Sequence, residues 1–263
     1  MQLIHHPDLD RLYLKTLGQG SKRVAITACD NCSGVSTLAM ALAQRHLLAG
    51  HSVLYVEMNS LAPAMTALYD LPKNTTQSDI HDSNTADQNQ QSGLSKSTAL
   101  LSTRLASPML VTGHNMEDIV TGVLAPQEQN HILALRNPSI LNQHLEYLEK
   151  NFDALVIDCA PLGAQHQGTK ANQIVPADLI ATAVDATILM VLAGKTKAPH
   201  LKSAMHLLAQ QGIKPHAIVM NNQYNPSLGQ ELIRESKRIH KIFPKTSYWL
   251  SQKIRNSLLM IPL

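Results

Sequence analysis

Gly34, Ser36 and Thr37 stand between an apolar run, Arg23-Val24-Ala25-Ile26, and a helix-like run, Leu38-Ala39-Met40-Ala41-Leu42-Ala43. A strand, a tight loop and a helix in that order can cradle phosphate oxygens on backbone N–H groups, with a Ser/Thr hydroxyl for magnesium. In the pattern G-x-x-x-x-G-K-[ST], the lysine neutralises the phosphates. Here Cys29 takes the place of the first glycine and Val35 that of the lysine. The stretch 27–37 therefore has the outline of a nucleotide site without its main charge. The helix N-terminus at Ser36 and Thr37 remains a place for an anion. The binding candidates are Ser33, Gly34, Val35, Ser36 and Thr37, for ATP or ADP held weakly or not at all.

Two acids belong with this loop. Asp158 ends the buried run Leu155-Val156-Ile157-Asp158, where a carboxylate suits a water bridge to magnesium. Ser36 and Asp158 are the magnesium candidates, with nucleotide present. Glu57 ends the run Val53-Leu54-Tyr55-Val56-Glu57. In a parallel sheet, strand ends of this kind face one crevice, where ligands bind.

The elements that must position these residues follow from periodicity. Residues 8–17 and 36–49 read as helices, with strands at 22–28 and 52–57. This strand–helix–strand rhythm predicts a parallel sheet with helices on both faces, a doubly wound α/β fold. Further strands are expected at 107–112, 154–158, 186–192 and 216–220, and helices at 138–150 and about 197–211. The tail 228–263 reads mostly as helix, broken near Pro244. Residues 73–92 hold almost no large apolar side chains and read as a disordered insertion within a single domain, 1–263.

In order and wording these segments resemble the MinD/ParA-type (deviant Walker) P-loop ATPases. The nearest likeness is to the cytoplasmic domain of bacterial polysaccharide-export tyrosine kinases. Their loop reads roughly S-x-x-P-G-E-G-K-S-T, and their next strand V-L-L-I-D-A-D-L-R-x-P. The later strands read Y-D-x-V-I-I-D-T-P-P and A-D-x-x-x-L-V-V-x-A-G-x-T. This chain offers Val53 to Met65, Phe152-Asp153-Ala154-Leu155-Val156-Ile157-Asp158-Cys159-Ala160-Pro161, and Asp185 to Thr196. Val219-Met220-Asn221 fits V-x-N, whose asparagine the resemblance implies would contact adenine. The likeness covers roughly residues 8–225 and implies a mostly parallel P-loop sheet.

The departures bear on activity. The loop lysine is Val35, the earlier signature lysine falls at Asp30, and the paired aspartates of the second motif are Glu57 and Asn59. Asp158 alone survives, and would be the catalytic acid were the chain active. Losing a phosphate-clamp lysine removes a transition-state contact worth on the order of several kcal/mol. Three readings of the loop stay open: a relic that shapes the fold, a weak nucleotide binder, or an ATPase rescued by Lys22 or Lys195. The tail offers only Tyr224 and Tyr248 in place of the kinases' tyrosine cluster, so autophosphorylation is not expected.

The remaining features are less specific. Cys29 and Cys32 form C-x-x-C, and Cys159 follows the Asp158 strand. All three would surround the crevice, as fillers or, with His166, as a metal or redox site. The 13 histidines show no metal-ligand spacing. Arg234, Lys237, Arg238, Lys241, Lys245, Lys253 and Arg255 accompany Trp249 in the tail. That suits a packing helix with a basic face, or a helix on a membrane surface. A net charge of +3 gives no reason to expect nucleic acid. No run of 18 apolar residues and no signal-peptide pattern are seen, so the expected location is cytoplasmic, at most peripheral to the membrane.

The lead expectation is a non-hydrolysing relative of these kinases, a pseudoenzyme serving as adaptor or regulator in exopolysaccharide biosynthesis or export. Its partner would be a protein of that export or cell-envelope system. The alternatives are a MinD/ParA-like positioning factor that dimerises on nucleotide, and an active ATPase or tyrosine kinase with displaced catalytic groups.

Overall fold

The computed structural model describes residues 3–65, 109–112, 119–164, 173–222 and 252–253. The expected insertion 73–92, His166, and all of the tail 228–263 except Gln252 and Lys253 lie outside the described residues. Among the described residues seven strands form one sheet: β1 (Arg23–Ala28), β2 (Val53–Glu57), β3 (Met109–Thr112), β4 (Ile119–Val123), β5 (Ala154–Asp158), β6 (Ala186–Leu192) and β7 (Ala217–Asn221). Their order is β3-β4-β2-β5-β1-β6-β7. The pairs β1–β5, β1–β6, β2–β4 and β2–β5 are parallel, and β3 runs antiparallel to β4.

The described helices are α1 (Pro7–Lys15), α2 (Val35–Leu48), α3 (Gln129–Leu135), α4 (Pro138–Glu149), α5 (Ala177–Ala181) and α6 (Ala198–Gln210). Their ends have local causes. Pro7 and Pro138 occupy the first turns of α1 and α4, where a missing N–H is harmless. The Asn137 side chain accepts from the Ser139 N–H at 3.0 Å. Gly34 precedes α2 in the left-handed region, at φ 86°.

β1, β2, β5 and β6 are near-continuous apolar runs because both faces are covered. Alternation sorts their side chains. Val24, Ile26, Val53, Tyr55, Val156 and Ile188 pack with α1 and α2. Ala25, Leu54, Leu155, Ile157 and Leu189 pack with α3, α4, α5 and α6 on the other face. Leu141, Leu145 and Leu148 give α4 its buried stripe. Each such leucine contributes roughly 1.5–3 kcal/mol.

The expected α/β fold with a mostly parallel sheet is thus found. The sequence reading missed β4, α3 and α5. β4 carries Gly122 inside Ile-Val-Thr-Gly-Val, and a Cβ there would collide with Met65 Cε. α3 and α5 have seven and five residues, too few to show a helical period. By internal contacts the chain forms two compact units. One comprises Met1–Val191 and Ala198–Val219, the other Leu192–Lys197 and Met220–Leu263. No described helix is long and apolar enough to cross a membrane.

Candidate functional site

The loop between β1 and α2 brings Ser33, Gly34, Val35, Ser36 and Thr37 together, as the spacing requires. Two left-handed residues shape it, Cys32 at φ 58° and Gly34 at φ 86°. The Ser33 hydroxyl donates to the Asp30 carbonyl at 2.6 Å, closing the turn on itself. Ser36 and Thr37 lie in the first turn of α2. The Val35 side chain turns inward and joins the apolar cluster of α1, α2 and the sheet.

Neither expected lysine position carries a cation. At the earlier one, Asp30 Oδ1 lies 2.7 Å from His200 Nδ1, on the first turn of α6. The described loop therefore brings a carboxylate to the place where the resemblance implies an ammonium. Lys22 is no substitute. It precedes β1, and its Nζ lies 3.4 Å from Glu149 Oε1. A six-residue strand, roughly 20 Å of chain, separates it from the loop. Lys195 belongs to the second unit, where its N–H donates to the Leu192 carbonyl at 3.2 Å.

The two acids sit side by side. Glu57 and Asp158 are register partners across the parallel β2–β5 pair. Both are buried, and so is Tyr55, two residues before Glu57 on the same face of β2. The Tyr55 hydroxyl donates to Asp158 Oδ2 at 2.6 Å. The Ser36 hydroxyl is a hydrogen-bonding neighbour of both groups. Asp158 Oδ1 has no hydrogen-bond partner among the described residues. Burial raises the Asp158 carboxyl above its ordinary range, opposed by the hydrogen bonds from Ser36 and Tyr55. Burial also raises the Tyr55 hydroxyl well above its ordinary range, with the Asp158 charge adding to it.

Glu57 is committed elsewhere. Its Oε1 accepts from the N–H groups of Ala64 and Met65, and its Oε2 from Ala125 N–H at 3.4 Å. It thus ties the segment after β2 to the segment after β4. Burial pushes its pKa to about 7, partly offset by these N–H donors, and the Asp158 charge pushes the same way as burial.

The cysteines do not gather round the loop as expected. Cys29 and Cys159 are buried in the apolar cluster on the face away from α2, whereas Cys32 is exposed on the loop. Strand alternation sends the first two to the opposite side. Burial raises Cys29 to about 11 and Cys159 well above the ordinary thiol range, which opposes thiolate chemistry. Among the described residues no group of three metal-ligating side chains is found. Asn221 ends β7 in the second unit, where its carbonyl accepts from Ala193 N–H at 2.9 Å.

The sequence reading missed Tyr55 and His200. Tyr55 carried a signal, an aromatic hydroxyl in an otherwise aliphatic strand that must find a partner once buried. His200 carried none, being 170 residues from its partner.

No family model matches the chain, and no curated protein matches it in sequence. Solved structures do. The chimeric protein CapA2B2 superimposes with a TM-score of 0.59 at 16% identity, over 84% of this chain and 87% of that one. The kinase domain of VpsO gives 0.57 at 18% identity, over 81% and 90%. The kinase domain of the Escherichia coli tyrosine kinase ETK gives 0.57 at 15% identity, over 81% and 72%. At these identities the likeness is one of fold: this chain has the α/β fold of these kinase domains.

Proposed function

We propose that this chain is a non-hydrolysing P-loop-fold protein that works as an adaptor or regulator in exopolysaccharide biosynthesis or export. The observation that carries the reading is the charge of the loop. One lysine position is Val35, packed in the core, and the other is Asp30, engaged by His200. Phosphoryl transfer depends on cations that stabilise charge on the phosphates. A loop with an added carboxylate opposes that charge instead. The process assignment rests on the sequence resemblance and the shared fold with tyrosine-kinase domains, and is an analogy.

Calorimetry with magnesium ATP and ADP tests the first part. The native chain is expected to give no binding heat and no ATP turnover. Binding in the micromolar range, or magnesium-dependent turnover lost on Asp158→Ala, would overturn it. Deletion in the native host tests the second part. Loss of secreted polymer, restored by a chain carrying Asp158→Ala, is the expected result. Polymer output unchanged by deletion would reject the process assignment.

A further inference from the structure

The P-loop fold implies a magnesium ion beside Asp158, yet the residues around this carboxylate do not fit one. A bound cation with its water shell needs an open approach to the carboxylate oxygens. Asp158 is 0% exposed. Its Oδ2 is taken by the Tyr55 hydroxyl at 2.6 Å, and Ser36, which would share the ion, is turned to the same pair. Tyr55 itself is 0% exposed, so its ring fills the space between β2, β5 and the start of α2.

We propose that Tyr55 is a built-in stopper of the cation position: its hydroxyl and ring take the place of a divalent ion and its water beside Asp158 and Ser36. The inference rests on the non-hydrolysing reading and deepens it, because it names the group that closes the site. Val35 and Asp30 remove the charge that would hold phosphate, and Tyr55 removes the place for the metal. The substitution is self-consistent. A carboxylate left without its ion would be an uncompensated buried charge, and a tyrosine hydroxyl supplies a donor in its stead. Asp158 Oδ1, without a hydrogen-bond partner among the described residues, marks where the replacement falls short of a metal's ligation.

Manganese alone, as a magnesium surrogate, is the probe. Thermal melts and manganese electron paramagnetic resonance are recorded for the native chain, Tyr55→Phe, Tyr55→Leu and Tyr55→Leu/Asp158→Asn. Circular dichroism checks the fold of each. The native chain is expected to show no manganese-dependent rise in melting temperature and no bound-ion signal. Tyr55→Leu, which puts an aliphatic side chain like those in the rest of the strand at this position, is expected to gain both. Tyr55→Phe gains less, since its ring still fills the space. Asp158→Asn in the Tyr55→Leu background abolishes the gain. A folded Tyr55→Leu indifferent to manganese would overturn the stopper while leaving the non-hydrolysing reading intact. Manganese binding by the native chain, lost on Asp158→Asn, would overturn the stopper from the other side. The non-hydrolysing reading itself falls only to nucleotide binding or turnover by the native chain. Where Tyr55→Leu does not fold, Tyr55→Phe decides, with no bound-ion signal counting against the stopper.

Discussion

The Tyr55 hydroxyl and the Asp158 carboxylate meet at 2.6 Å across neighbouring parallel strands, both out of contact with solvent. The tyrosine stands opposite Val156, so its side chain reaches two residues along β5 to find the acid. A residue expected to serve magnesium is thereby held as an internal acceptor. Tyr55→Phe would leave that acid short of a donor. It is expected to cost about 1–3 kcal/mol in urea unfolding at neutral pH.

Asp158→Asn gives a prediction in pH. A carboxyl whose folded pKa is raised contributes stability that is complete at low pH and lost as pH rises through the folded value. Asparagine accepts from Tyr55 without ionising. The stability of Asp158→Asn relative to the native chain should therefore improve as pH rises above the ordinary value of 3.8 in urea unfolding. The opposite trend would mean that the ionised carboxylate stabilises the fold.

Glu57 follows the same sign with a defined window. Its contribution is complete below the ordinary value of 4.5 and is lost as pH rises through about 7. Relative to Glu57→Gln, the native chain should lose up to ~1.4 kcal/mol per pH unit within that window. Glu57 and Asp158 are neighbours and titrate as a pair, so the double variant should show a flatter profile than either single one.

His144 works in the acid direction. Burial among the apolar side chains of its face lowers its pKa from 6.5 to about 4. A histidine kept neutral by the fold contributes stability at neutral pH that falls away as pH drops from 6.5 through 4. His144→Leu should remove part of the acid sensitivity over that range. An unchanged acid limb in a pH titration of unfolding would contradict this.

Gly122 is a packing test. An added Cβ would strike the end of Met65, a side chain with no exposure. Gly122→Ala is expected to destabilise by about 1–3 kcal/mol, and Met65→Ala in the same chain should recover part of that loss. Additive costs would show that the two sites do not touch.

Much of the architecture was legible because it depends on local patterns. The strand expected at 22–28 and the helix expected at 36–49 announce themselves by an apolar run, a loop glycine and an alanine-rich stretch. The strands ending at Glu57 and Asp158 were legible for the same reason. β4 was not, since its Gly122 exists to admit Met65, a contact between distant residues. The short helices α3 and α5 were hidden by their length. At the site, Ser36 and Asp158, paired in the sequence reading, lie within hydrogen-bonding reach of each other. The three cysteines do not gather as expected, because strand alternation sends Cys29 and Cys159 to the face away from α2.

Sequence alone determined that the stretch 27–37 has the outline of a phosphate loop, that Val35 stands in the place of its lysine, and that acids end β2 and β5, while the family resemblance put the earlier lysine position at Asp30. The loop, Val35 and the acids are fixed by residue type and by spacing along the chain, and Asp30 is placed only by the resemblance. Only the tertiary structure decided how the gaps were filled. It packed Val35 into the core, set Asp30 against His200, spent Glu57 on backbone N–H groups, and closed Tyr55 on Asp158. The physical reason is that each outcome is a pairing between groups far apart in sequence. Burial removes water as a partner, so which distant donor meets which acceptor depends on strand order and register.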